Sequence, residues 1–166
     1  MPNIRTHIAL ATQLAERLDL TPVNCNFGSF LLGSTTPDIR AMTKGDRVLT
    51  HFAPFDSVNL FESVTGLFEN NVELRNSKAM SRTTVAFLIG YISHLVADQL
   101  WVALIYQPYF NNRTIFPDNI EAKVMDRALQ LELDRRSYDQ TATALPELIN
   151  SDISVDIGFI DPTTLQ

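Results

Sequence analysis

His94 and Asp98 stand four residues apart in a stretch that is otherwise mostly apolar, VAFLIGYISHLVADQLWVALIY over residues 85–106. On a helix this spacing puts both side chains on one face, one turn apart. Two such groups can grip one ion, as two histidines do in H-E-x-x-H sites. A carboxylate in so apolar a helix is costly unless it is paired or bound to a cation. The bland alternative is that His94 and Asp98 only hydrogen-bond each other inside the core.

The chain holds three histidines in all, His7, His51 and His94. Neutral imidazole is the commonest protein metal ligand, and imidazole with carboxylate suits zinc and related ions. Each remaining candidate has a plainer reading when taken alone. His7 lies at the edge of an apolar helical stripe and reads as a satisfied core histidine. His51 follows a polar loop and reads as a surface imidazole. Asp38 follows Pro37 and reads as a turn residue bonding its own backbone.

Helices must position these groups. Ile4, Ile8, Ala11, Leu14, Ala15 and Leu18 recur at helical spacing, so a helix is expected over about 4–18, with His7 turned to the core side. Thr21-Pro22 begins a second helix, with Thr21 as cap, and Gly33 ends it. Residues 34–49 read as a polar loop. A third helix is expected over about 55–70, with Leu60, Phe61, Val64, Leu67 and Phe68 as its face. The central helix follows over about 81–106, and then a loop over 107–117. Asp118 caps a further helix to about Tyr138, with Glu121 in the capping-box position. A short helix is expected over 141–150, weakened by Pro146. No useful stretch alternates with period two, so the class is all-α: five or six helices around a nearly apolar central helix. Residues 1–150 form one domain, and 151–166 read as a loosely held tail.

Composition bounds the function. With 166 residues there is room for one sizeable core. Apolar content of 45% and charged content of 19% are ordinary for a globular chain. A formal charge of −6 argues against a surface that coats nucleic acid. Cys25 is the lone cysteine, so no disulfide can form within the chain, and it reads as a small buried thiol. Residues 1–20 contain no continuous apolar segment of a secretory signal, which makes the cytoplasm the expected location. The central stretch is long enough to span a bilayer, but Ser93, His94, Asp98 and Gln99 at its middle favour a buried core helix.

Taken together, four segments resemble the zinc-dependent phospholipase C family, whose wider fold group includes fungal single-strand nucleases. They are Pro2-Asn3-Ile4-Arg5-Thr6-His7, Phe30-Leu31-Leu32-Gly33-Ser34-Thr35-Thr36-Pro37-Asp38, Thr50-His51-Phe52, and Phe87-Leu88-Ile89-Gly90-Tyr91-Ile92-Ser93-His94-Leu95-Val96-Ala97-Asp98. They occur in the family's order and cover roughly residues 2–100. The resemblance implies a mostly helical, phosphodiester-cleaving hydrolase with a zinc cluster. It further implies that Asp38, His51, His94 and Asp98 hold one zinc, and that His7 joins a second, with Asp98 bridging.

The chain also departs from that pattern. The family's phospholipases carry a histidine pair and a glutamate further downstream, whereas no histidine follows His94 here. The expectation is therefore one or two zinc ions rather than three. Glu121, Asp126, Glu132 and Asp134 could each add an oxygen ligand, although on an amphipathic helix they read first as a solvated face. The family's processed N-terminus also serves as a ligand; Met1 and Pro2 stand too close to His7 for an obvious copy of that arrangement.

The leading expectation is a zinc-dependent phosphoester hydrolase acting on a small phosphoester or a phospholipid. Asp38 is either the base that orients the attacking water or a ligand. Arg5, Arg40 and Lys44 are candidates for holding a phosphate oxygen. Phe52, Phe55, Tyr91 and Trp101 line either a pocket or the core. The rival is a non-catalytic metal-binding domain with a structural or remnant zinc site. A phosphohydrolase of the HD type needs an adjacent His-Asp pair, which the chain lacks. Oligomeric state is not legible.

Overall fold

A computed structural model describes residues 1–39, 44 and 46–160. Among them there are eight α-helices and no strand: α1 (Ile4–Leu18), α2 (Thr21–Cys25), α3 (Phe27–Thr35), α4 (Val48–His51), α5 (Glu62–Asn70), α6 (Arg82–Trp101), α7 (Asn119–Arg136) and α8 (Tyr138–Ile149). Six have nine residues or more, and α2 and α4 are single turns or little longer. The all-α class is as expected.

α6 is the axis of the fold. Ser81 caps it by accepting from Thr84 N at 3.0 Å. Phe87, Tyr91 and Leu95 on it are fully buried. α3 crosses it at very short range. A Cβ on Gly33 would stand 1.9 Å from Phe87 O, and one on Gly90 would stand 1.9 Å from Phe30 O. The two backbones touch, and only glycine permits it at either position. Gly33 is therefore inside its helix rather than its end, and α3 continues to Thr35.

Two apolar clusters form against these helices. One joins Leu67, Leu74, Phe87, Leu88, Tyr91 and Leu95 to Val155 and Ile157. The other joins Ile8, Ala11, Val23, Phe30, Leu31, Ala86 and Ala144. Each fully buried large side chain among them contributes about 1.5–3 kcal/mol. Within 151–160 the chain departs from the expected loose tail: Val155 and Ile157 close one core, and Phe159 packs edge-on against Tyr91 and Phe52, while 161–166 lie outside the described residues.

Several boundaries differ from those expected. The second expected helix breaks into α2 and α3 at Asn26, whose backbone leaves the helical region. α5 begins only at Glu62, because Phe61 takes a left-handed conformation (φ 71°). The Ser57 hydroxyl and the Asn59 amide bind the Glu62 carboxylate, building a turn where helix was expected. Leu60 and Phe61 are consequently exposed rather than part of a core face. The expected loop at 34–49 contains a 3₁₀ turn over Thr36–Ile39 and begins α4. The central helix continues as a π-helix over Val102–Phe110, where a loop was expected from 107. The last helix starts at Tyr138, three residues early, and carries Pro146 inside it. Cys25 is exposed, not buried.

The continuous helical run Arg82–Phe110 contains an 18-residue window apolar enough to cross a membrane, with a mean hydropathy of 1.5. Half of that apolar window is buried within the fold, which is how the central helix of a packed bundle behaves.

Candidate metal centre

Each candidate ligand is carried by a short-range structural constraint. His7 is on the first turn of α1, where one free N–H group is satisfied from across the chain. Asp134 of α7 accepts from Thr6 N at 3.2 Å, Thr6 Oγ1 at 2.8 Å and Asn3 Nδ2 at 2.8 Å. This is an N-cap supplied by a distant helix. Asp38 sits in the 3₁₀ turn that continues α3. His51 ends the one-turn helix α4, which is tied to the central helix by a hydrogen bond from the Tyr91 hydroxyl to Thr50 O. His94 and Asp98 share one face of α6, as their spacing predicts.

The fold brings all five together. His7 Nε2 lies 3.3 Å from Asp98 Oδ1, and His51 Nε2 lies 3.3 Å from Asp98 Oδ2. His94 Nε2 is 3.7 Å from Asp98 Oδ2 and 3.3 Å from His51 Nε2. Asp38 Oδ1 is 3.7 Å from His51 Nε2 and 4.0 Å from His94 Nε2. The His7 and His94 rings stack at 3.7 Å. Two ligand triads result, His7–His94–Asp98 and Asp38–His51–His94. The two oxygens of Asp98 face opposite histidines, a disposition suited to bridging.

The imidazole tautomers follow from the outer contacts. His94 Nδ1 lies 2.8 Å from Ser34 O, which can only accept, so Nδ1 carries the proton. Ser34 is brought there by the glycine crossing. His51 Nδ1 lies 2.9 Å from Thr50 Oγ1, whose hydroxyl donates to Arg47 O, so Nδ1 again donates. In neutral His51 and His94 the Nε2 lone pairs therefore face each other across 3.3 Å. Outer partners that fix the ligating nitrogen in this way are typical of metal-bound histidines.

Lone pairs converging in the interior need a positive charge between them. His7 Nε2 and Asp98 Oδ1 are buried without a hydrogen-bond partner. Two nitrogens at a tetrahedral zinc, with bonds of about 2.0–2.1 Å, stand about 3.3 Å apart. The His51–His94 separation has this value, and the donor set of imidazole and carboxylate matches zinc chemistry. The residues therefore fit the ion.

Electrostatics agree. Burial lowers the pKa of His7 and of His51, favouring the neutral, ligating form. Burial alone would raise the Asp98 carboxyl, but the His51, His7 and His94 imidazoles packed around it hold it well below the usual range. Asp38, with 18% of its side chain exposed against 3% or less for the other four, marks the solvent side of the cluster.

The other candidates go elsewhere. Asp134 caps α1. Asp126 accepts from Trp101 Nε1 and Gln130 Nε2. Glu132 pairs with Arg135 and Arg136 on the surface, and Glu121 is exposed. None of the four joins a candidate triad among the described residues. Asp126 and Asp134 are thus inward-facing rather than part of a solvated stripe. Arg5 stacks over Tyr138 rather than facing the centre, Lys44 is exposed, and Arg40 lies outside the described residues. Tyr91, Phe52 and Trp101 are core or half-buried; Phe55 is exposed. The Met1 amine, partly buried and lowered in pKa by that burial, feels Asp126, Asp98, Arg47 and Asp38.

Sequence reasoning missed Arg47, whose Nη2 donates to Asp98 Oδ2 at 2.9 Å. Its spacing of four from His51 is the available signal, since one helical turn puts the two on one face.

The zinc-dependent phospholipase C family model matches residues 6–122, which include all five clustered residues. No curated protein and no solved structure matches the chain.

Proposed function

The chain belongs to the zinc-dependent phospholipase C family, and on that premise we propose that it is a zinc-dependent phosphoester hydrolase. The supporting observation is the cluster itself: three imidazoles and two carboxylates from four separate segments, with two imidazole lone pairs opposed at 3.3 Å. Asp38, His51, His94 and Asp98 would hold one zinc, and His7 a second shared through Asp98. Bound zinc would supply a hydroxide-strength nucleophile near neutral pH and polarise a phosphoryl oxygen.

The chain's own residues do the rest. Ser34 O and Thr50 Oγ1 fix the ring orientations of His94 and His51. Asp38, at the solvent side, accepts the proton of the attacking water or is spent as a ligand. An apolar groove of about 750 Å³ between α1 and α6 is lined by His7, Leu10, Leu14, Ile92, Val96 and Leu100, among others. His7 lines this groove and also belongs to the cluster, which supports a substrate with an apolar part, such as a phospholipid, over a small polar phosphoester.

The second reading is a structural or remnant zinc site without turnover. It is favoured by the engagement of Asp126 and Asp134 elsewhere: among the described residues, none downstream of Asp98 joins a candidate ligand triad. Zinc content and turnover of a short-chain phospholipid, measured on the same preparation, separate the two. Chelator-sensitive release of a phosphorylated headgroup supports hydrolysis. Tightly held zinc with no turnover supports the structural site.

A further inference from the structure

Arg47 is the one lysine or arginine among the described residues that pairs with a residue of the cluster, and its guanidinium is only partly used. Nη2 binds Asp98 Oδ2, while Nε and Nη1 are buried without an acceptor. The residue is held through both backbone and side chain. Arg47 O accepts His51 N at 2.8 Å, locking the two residues into one helical turn. The Phe55 ring lies 5.6 Å from the guanidinium carbon. Two buried donors left open beside the centre are costly to the fold and gain most from a partner with several acceptors.

Charge gives the sign of that partner. One zinc balances the two carboxylates of Asp38 and Asp98, so Arg47 leaves the centre with one positive charge in excess. A second zinc raises the excess to three. A planar guanidinium fork matches the paired oxygens of phosphate in a way a lysine ammonium does not.

We propose that Arg47 is the phosphoryl-recognition residue of this centre. Its Nη2 keeps one N–H on Asp98, while its second N–H and a neighbouring open donor, Nε or Nη1, form a fork onto two non-bridging oxygens of a tetrahedral phosphate group. This rests on the zinc reading above. A lipid phosphodiester and free phosphate share the chemistry.

The test compares wild type, Arg47→Gln and Arg47→Lys, each loaded with zinc. It measures zinc per chain, then calorimetric affinity for inorganic phosphate and for a non-hydrolysable phosphonate analogue of a short-chain phospholipid. The expected result is unchanged zinc, with Arg47→Gln weakening both anions by about tenfold or more and Arg47→Lys lying between. Equal loss for both probes assigns the fork to the phosphoryl group. Retention of phosphonate binding with loss of phosphate assigns it to the free ion. Unchanged affinity for both in a zinc-retaining Arg47→Gln would overturn the proposal and leave Arg47 as a counter-ion of Asp98. Absence of anion binding by zinc-loaded wild type would also overturn it. Should Arg47→Gln lose zinc or fail to fold, Arg47→Lys decides, and wild-type affinity in it overturns the fork. A wild type that holds no zinc sinks the metal reading itself, and zinc content alone reveals that.

Discussion

Gly33 and Gly90 lie where α3 and α6 cross, each with its missing Cβ aimed at the other helix's backbone oxygen. Four residues beyond Gly90 is His94, and one beyond Gly33 is Ser34, whose carbonyl fixes the His94 ring. This close helix crossing is thus one step from the candidate metal centre. Gly33→Ala or Gly90→Ala forces a carbon against a backbone oxygen at 1.9 Å, so the helices must separate. Each should cost about 3 kcal/mol or more, at the upper end for overpacking. Denaturant unfolding measures it, and a loss under about 1 kcal/mol would show that the crossing is not as tight as the geometry states.

His94→Ala and Asp98→Ala should each lower zinc content, because His94 belongs to both ligand triads and the Asp98 carboxylate lies within 3.7 Å of all three histidines. His7→Ala should remove at most one ion and leave the Asp38–His51–His94 triad loaded. Elemental analysis after gel filtration checks this. Unchanged zinc in both His94→Ala and Asp98→Ala would refute the assignment.

Asp38→Asn separates its two roles. As a base, Asp38 can be replaced with zinc retained and turnover reduced by about a hundredfold or more. As a ligand, its loss lowers zinc and turnover together. Paired zinc and rate measurements read the difference.

Asp134→Ala should destabilise the protein by about 1–2 kcal/mol, the cost of an N-cap that here serves two donors of Thr6. Zinc stoichiometry should stay the same. Loss of a zinc ion without loss of stability would mean that Asp134 is a ligand instead.

In chelator, stability should fall as the medium is acidified. The folded-state pKa of His7 and of His51 is lowered by burial, so below about 6.5 the unfolded chain takes up protons that the folded chain refuses. The loss begins near that unfolded value and continues until the folded values are reached. Asp98, depressed in the folded state, adds a second loss as pH falls below the ordinary carboxylate range. Urea midpoints from pH 8 to pH 3 in chelator follow this; a flat profile between 7 and 5 would contradict it.

Much of this centre was legible from the chain alone. The i, i+4 spacing of His94 and Asp98 needs only helical geometry, and the family's motif order supplied His7, Asp38 and His51. The all-α class followed from helical periodicity and the lack of alternation. Helix ends were less legible, because local side-chain bonds decided them. Glu62 collects Ser57 and Asn59 and delays α5, while Asn26 divides what periodicity joins.

Tertiary structure alone decided the rest. Sequence assigns Asp134 to a polar stripe, and only the approach of α7 to α1 makes it a cap for the helix bearing His7. Sequence places Val155 and Ile157 in an aperiodic tail, and only the space beside Tyr91 draws them into the core. Arg47 carries no motif; Asp98, brought within 2.9 Å by the fold, gives it a role. Spacing fixes which side chains share a face, since it follows from local backbone geometry. Which faces meet depends on backbones closing to contact at Gly33 and Gly90, and that distance is set by packing between segments far apart in the chain.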